Sequence, residues 1–152
     1  MLIREATEAD LEAIRTLNQH LHPDDPALPC SDLRSSWQAM LANPAIHCLV
    51  VESSGQLIAT CTLIIVPNLT RSARPYALIE NVVTHADHRR KGVGTALLKA
   101  ALDMAWSQGC YKVMLMTSSR KEETLRFYEQ AGFARGLKTA FLARPTPGRQ
   151  HT

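Results

Sequence analysis

The chain has 152 residues, enough for one domain with a buried core, and its composition is that of an ordinary globular protein. A net charge of +3, with three cations gathered in one short loop, speaks against a nucleic-acid surface, and no apolar run approaches the roughly 20 residues of a membrane span. Cys30, Cys48, Cys61 and Cys110 stand at no C-x-x-C spacing, and Glu5, Glu8 and Asp10 fall where a secretory signal would be apolar, so one reduced, cytoplasmic domain over 1–152, without metal, is expected.

In chain order, Leu2-Ile3-Arg4 predicts a short first strand. Thr7-x-x-Asp10 then caps a helix with Leu11, Ile14, Leu17 and Leu21 on one face. Three prolines, Pro23, Pro26 and Pro29, force a loop, and a second helix runs from about Ser31 to Leu41, stopping before Asn43-Pro44. Ile46 to Glu52 and Gln56 to Val66 form a hairpin around Ser53-Ser54-Gly55. Pro75 to Val83 is a further strand. Val93, Ala96, Leu97, Ala100, Ala101 and Met104 recur at helical spacing, and Gly109 closes that helix. Tyr111 to Met116 reads as a buried strand. Ser119 and Glu122 have capping-box spacing, so a helix is expected from there to Gly132. Phe133 to Arg135 and Thr139 to Leu142 predict two late strands, and a frayed tail is expected from Arg144. The order β-α-α-β-β-β-α-β-α-β-β describes a mixed α/β (α+β) domain without internal repeat.

The chemistry concentrates where the strand ending at Val83 meets the helix starting near Val93. Between them lie Arg89-Arg90-Lys91-Gly92-Val93-Gly94-Thr95. A helix's first turn leaves backbone N–H groups unpaired and carries partial positive charge, and glycines let a ligand approach. Such a turn suits a phosphate or diphosphate. No P-loop string occurs, and a dinucleotide fingerprint fails because Leu97 stands where a third small residue is required. A plain strand-to-helix turn with a solvated basic face is the alternative for this stretch alone.

Arg89-x-x-Gly92-x-Gly94 resembles the acyl-CoA signature of the GNAT family of N-acetyltransferases. Ser119-Arg120-Lys121-Glu122-Glu123-Thr124-Leu125-Arg126-Phe127-Tyr128-Glu129-Gln130-Ala131-Gly132-Phe133 looks like the family's later motif, in the family's order. Ile79-Glu80 and Gly109-Cys110-Tyr111-Lys112-Val113 are also similar to glucosamine-phosphate and aminoalkylphosphonate N-acetyltransferases. The resemblance covers residues 75 to 135; the first half matches only in its pattern of elements.

This resemblance implies a mostly antiparallel central sheet, flanked by helices and splayed between its fourth and fifth strands, with acetyl-CoA as co-substrate in the opening. It implies backbone contacts to the pantetheine arm near Val82 and Val83, a diphosphate cradle over Arg89, Arg90, Lys91, Gly92, Val93, Gly94 and Thr95, and Tyr128 as the proton donor to the leaving thiolate. Lys121 and Arg126, near Tyr128 in sequence, could ease that proton transfer. Lys121 stands where relatives often carry Asn, leaving Ser118 or Ser119 to make the contact. Glu80, an acid inside an apolar strand, is the candidate base for the incoming amine; a solvent-facing edge residue is the alternative. The acceptor pocket is expected between the loop from His20 to Cys30, the second helix and the segment from Asn68 to Tyr76. Trp37 either walls it or packs. Acetyl transfer to the primary amine of a small molecule is the expected function. A protein or peptide N-terminal acetyltransferase, or a non-catalytic acyl-CoA-binding regulatory module, are the alternatives. A homodimer is compatible with the family and is not visible in the residues.

Overall fold

The structure is a computed structural model that describes residues 1–145. One sheet of five strands runs in the order β1-β2-β3-β4-β5: β1 Leu2–Glu5, β2 Ile46–Ser53, β3 Gln56–Val66, β4 Tyr76–Thr84 and β5 Val113–Leu115. The first three pairings are antiparallel and the last is parallel. Four helices flank it: α1 Leu11–Leu21, α2 Cys30–Ala42, α3 Val93–Ser107 and α4 Glu122–Gln130.

Both faces of the sheet are covered, which is why its central strands read as continuous apolar runs. Alternate residues of β2 go to opposite sides. Leu49 and Val51 join the main core with Leu63, Ile79, Leu97, Leu98 and Ala101 beneath α3. Cys48 and Val50 join a second cluster with Ile14 of α1 and Trp37 of α2. Trp37 therefore packs; it is 4% exposed, and its indole N–H reaches the Glu8 carbonyl at 3.4 Å. The β2–β3 turn is tighter than expected. Ser54 and Gly55 both take positive φ (50° and 76°), the mirror-image two-residue turn that matches strand twist.

Two sequence expectations fail. Phe133–Arg135 and Thr139–Leu142 form no strands: β5 is only three residues long, and from Ala134 on the chain is exposed, without a ladder partner among the described residues. The helix expected from Ser119 begins at Glu122 with Lys121 as its cap. The Ser119 hydroxyl instead donates to Thr124 Oγ1 at 3.2 Å and accepts from the Lys121 N–H at 3.3 Å, so no capping box forms. The tail beyond Pro145 lies outside the described residues.

The N-terminal corner is held electrostatically. The Asp10 carboxylate accepts from the Thr7 N–H at 2.7 Å and from both Arg4 guanidinium nitrogens at 2.7 and 2.9 Å, while Arg4 also binds Glu52 on β2. The Arg4 hydrogen bonds hold Asp10 well below the usual carboxylate range, at about 2. A carboxylate with a depressed folded pKa stabilises above its unfolded value near 4 and loses that contribution as pH falls through about 2. Asp10→Asn should lower unfolding free energy by about 2 kcal/mol at pH 7. In urea titrations the gap between the two proteins should close between about pH 4 and pH 2.

Candidate active site

The site begins with an interruption in β4. Thr62 pairs with Glu80 and Thr60 with Val83, so β4 uses one more residue than β3 over that interval. Asn81 takes up the excess with φ +52°, a conformation Asn tolerates better than most residues. The bulge shifts the side-chain phase. Ile79 belongs to the main core, and after the bulge Val82, not Asn81, packs against that core, while Val83 is buried and Glu80 and Asn81 are exposed. The pleat turns Glu80 away from Ile79 to the face that α1 crosses. Glu80 makes no hydrogen bond or ion pair among the described residues.

On its other edge β4 pairs with β5 only at Ala77, Leu78 and Ile79. From Glu80 to Thr84 that edge has no strand beside it. This is the splay expected between the fourth and fifth strands.

The basic turn lies at the end of this opening. Arg90 (φ +58°) and Gly92 (φ +78°) are left-handed, and Gly92 caps α3 without any side-chain hydrogen bond. Among the described residues no hydrogen bond takes the N–H of Arg90, Lys91, Gly92, Val93, Gly94 or Thr95. Backbone of alternating hand aims successive N–H groups into one concavity, an anion-binding arrangement. A Cβ at Gly92 would meet no atom within 4 Å, so the space above it is open. The flanking cations shape the loop: Arg89 Nε donates to the Thr84 carbonyl at 3.1 Å and Lys91 Nζ to the Asp87 carbonyl at 2.8 Å. Arg90 is exposed and makes no ion pair among the described residues.

Gly94 joins this turn to the aromatic pair of α4. A Cβ at Gly94 would stand 3.0 Å from Phe127 Cε2 and Cζ and 3.1 Å from Thr84 Oγ1. Phe127 packs into the core, and its ring centroid lies 4.9 Å from that of Tyr128. Tyr128 is half-buried, and its hydroxyl makes no hydrogen bond among the described residues. Burial pushes the Tyr128 phenol above its usual 10. The neighbouring cations do not counter this. Arg126 is paired with Glu122 at 3.4 Å, and Lys121 is exposed at the helix cap.

On the α1 side a cleft of about 310 Å³ opens between the end of α1, the following loop, the start of α2 and Asn81, lined by Arg15, Asn18, His22, Asp25, Leu28 and Leu33 among others. It contains the expected loop and second helix but nothing from the segment 68–76. That segment holds a left-handed turn, with φ of 56°, 61° and 57° at Arg71, Ser72 and Ala73, and places Arg71 over the Tyr111 ring. The His85 ring meets His20 on one side and His88 on the other, both edge-to-face, at ring-centroid distances of 4.7 and 5.8 Å. Sequence reasoning missed the bulge and the second left-handed residue of the cradle. The polar pair Glu80-Asn81 inside an apolar strand was the available signal for the bulge; Arg90 offered none.

Comparison with known proteins bears on this arrangement. The sequence profile described as the acetyltransferase (GNAT) family matches residues 11–133. A glucosamine 6-phosphate N-acetyltransferase of Trypanosoma brucei brucei is 38% identical over 82 residues, covering 54% of this chain and 54% of that protein, so the match spans only about half of that relative. Its namesake in Schizosaccharomyces pombe is 33% identical over 91 residues, covering 59% of this chain and 79% of that protein. A solved structure of a candidate acetyltransferase from Agrobacterium tumefaciens strain C58 is 42% identical, with a TM-score of 0.92, covering 95% of this chain and 100% of that one.

The two cradle glycines should answer differently to substitution. Gly94→Val forces Phe127 to move and should cost about 2 kcal/mol or more of stability. Gly92→Ala meets open space and should cost only the left-handed penalty of about 1–2 kcal/mol. Urea denaturation of both variants measures the difference.

Proposed function

The chain belongs to the GNAT acetyltransferase family, and from that premise we propose that it transfers an acetyl group from acetyl-CoA to the primary amine of a small molecule. The observation that carries this reading is the row of six unpaired N–H groups from Arg90 to Thr95, set at the end of a sheet opening and one ring away from Tyr128. The residues present fit the co-substrate. An exposed concavity of main-chain donors at a helix start suits a diphosphate, and the free edge of β4 at Val82 and Val83 suits the amides of a pantetheine arm lying as an added strand.

Each residue then has a defined task. Val82 and Val83 supply main-chain groups that align the thioester and donate to the oxygen on which negative charge develops. Arg89 and Lys91 hold the loop in shape through Thr84 and Asp87. Arg90 adds charge at the exposed rim, which is worth little by itself. Tyr128 donates a hydrogen bond to the departing sulfur. A thiol has a pKa of about 8.5, so a phenol raised above 10 favours hydrogen bonding over complete proton transfer. Glu80 accepts a proton from the incoming ammonium, directly or through water; alkyl amines hold that proton up to about pH 10. The cleft beside Asn81 receives the acceptor, with Asp25 on its wall to attract the ammonium.

A cytoplasmic setting belongs to the same reading and is supported by four free cysteines. No helix among the described residues is long and apolar enough to cross a membrane.

A thiol-release assay over aminosugar phosphates, aminophosphonates, polyamines and peptides tests the proposal. Turnover on small amines is expected; turnover on peptides alone, or tight acetyl-CoA binding with no release, overturns it. Tyr128→Phe should lower kcat by at least about tenfold and leave acetyl-CoA affinity unchanged. Because burial keeps Tyr128 protonated, no alkaline loss of kcat from this residue is expected below about pH 10. Glu80→Gln should lower kcat and leave acetyl-CoA affinity unchanged.

A further inference from the structure

One wall of the cleft beside Asn81 carries two polar atoms without partners. Arg15 and Asn18, three residues apart on α1, share a helix face and both line the cleft. Among the described residues, Arg15 Nε and Asn18 Oδ1 are closed off from solvent and make no hydrogen bond. The rest of the Arg15 fork is occupied. Nη2 is paired with the Glu12 carboxylate, which also accepts from the Cys30 thiol at 2.7 Å, and Nη1 donates to the Leu28 carbonyl at 3.5 Å. The fork is thus pinned with one donor left over. A buried donor or acceptor without a partner costs stability, and a ligand that supplies the missing group recovers that loss as affinity.

The charge of the cleft narrows what that ligand is. Arg15 is the one Lys or Arg among the described residues that lines it, and Glu12 neutralises that cation. Asp25 lines the same cleft. No cation is left there to hold a phosphate. Arg71 and Arg74 belong to the segment 68–76, which contributes nothing to this cleft, and Arg71 lies over the Tyr111 ring. Leu21, Pro26, Leu28 and Leu33 make much of the remaining wall apolar. The volume of about 310 Å³ has room for about ten water-sized groups, hence for one sugar ring or a short chain.

Resting on the acetyl-transfer reading of this site, we infer that the acceptor is a small, unphosphorylated primary amine carrying a hydroxyl group, and that Arg15 and Asn18 recognise that hydroxyl. A hydroxyl closes both gaps with one oxygen: it accepts from Arg15 Nε and donates to Asn18 Oδ1. A methylene group answers neither atom. A phosphate accepts from Arg15 but brings negative charge to the Asn18 oxygen and to Asp25. The Leu28 contact, at 3.5 Å, is the weakest around the Arg15 fork and yields first as a ligand approaches the pair. The amine end of the acceptor turns toward Asn81, the residue after Glu80.

Matched amines test this: glucosamine, its 6-phosphate, and cyclohexylamine, which has a six-membered ring and no hydroxyl. Thiol release from acetyl-CoA should show a kcat/KM at least about tenfold higher with glucosamine than with either of the others. Asn18→Leu should lower kcat/KM for glucosamine at least about tenfold and leave that for cyclohexylamine unchanged; comparing variants cancels the different basicity of the two amines. Because this change also removes an unpaired buried acceptor, the urea midpoint should not fall. Calorimetry with coenzyme A present reads binding without turnover, and glucosamine should bind more tightly than its 6-phosphate. A preference for the 6-phosphate, or an Asn18→Leu loss shared equally by glucosamine and cyclohexylamine, overturns this inference and leaves acetyl transfer standing. Absence of thiol release from every amine overturns acetyl transfer, and the calorimetric order of the two sugars then still supports or overturns the hydroxyl assignment.

Discussion

A β-strand cannot leave its main-chain groups unpaired in a protein interior, and β4 does leave them unpaired on one edge beyond Ile79. Two local features cause this. The left-handed Asn81 inserts an extra residue and bends the strand, and β5 stops after three residues. The result is an opening between β4 and the last strand, bordered on the β4 side by main-chain groups without a strand partner. Such an opening is stable only if water or a ligand with amide-like groups fills it. The basic turn follows β4 at the end of this opening, and Asn81 at the bulge lines the cleft beside α1.

The proposed site relies on main-chain geometry more than on side-chain charge. Arg89 and Lys91 both bind carbonyls of their own loop. Those contacts brace the loop in which Arg90 and Gly92 are left-handed, the arrangement on which the proposed diphosphate cradle rests. This is economical, since an exposed ion pair contributes little in water whereas a fixed row of dipoles needs no reorganisation when charge arrives. Gly94 matters for another reason. It lets α3 approach the Phe127 ring closely, which couples the cradle to the helix that carries Tyr128.

Much of this was legible in the sequence because it depends on local rules. The spacing Arg89-x-x-Gly92-x-Gly94, the periodic apolar residues of α3 and the Thr7–Asp10 cap each specify their own neighbourhood. The helices α1 and α2 lie within a residue or two of expectation. What escaped depends on partners distant in sequence. Nothing in Arg71-Ser72-Ala73 announces three left-handed residues without glycine; such a turn persists only where its surroundings impose it. Ser119 and Glu122 have capping-box spacing, but Thr124 takes the serine hydroxyl. Thr139–Leu142 has strand composition, and composition does not reveal whether a partner edge is available. The Glu80-Asn81 pair was noticed for its acid, while the asparagine beside it marked the bulge.

The energetics of Tyr128 constrain how the proposed chemistry must be divided. Proximity in sequence to Lys121 and Arg126 suggested a lowered phenol pKa, but burial raises it, and Arg126 is occupied by Glu122. A phenol above 10 facing a thiol near 8.5 loses more than about 2 kcal/mol on complete proton transfer. A hydrogen bond to the developing thiolate carries no such cost and strengthens as charge accumulates. In the proposed reaction Tyr128 therefore acts by holding its proton. The proton that must move during the reaction comes from the ammonium of the acceptor, which is lost before or during attack. Within the proposal, that places the catalytic burden on the exposed carboxylate of Glu80 and on water around it. The exposure of Glu80 at the bulge is consistent with that proposed role, because a base that must pass its proton on has to remain in contact with solvent.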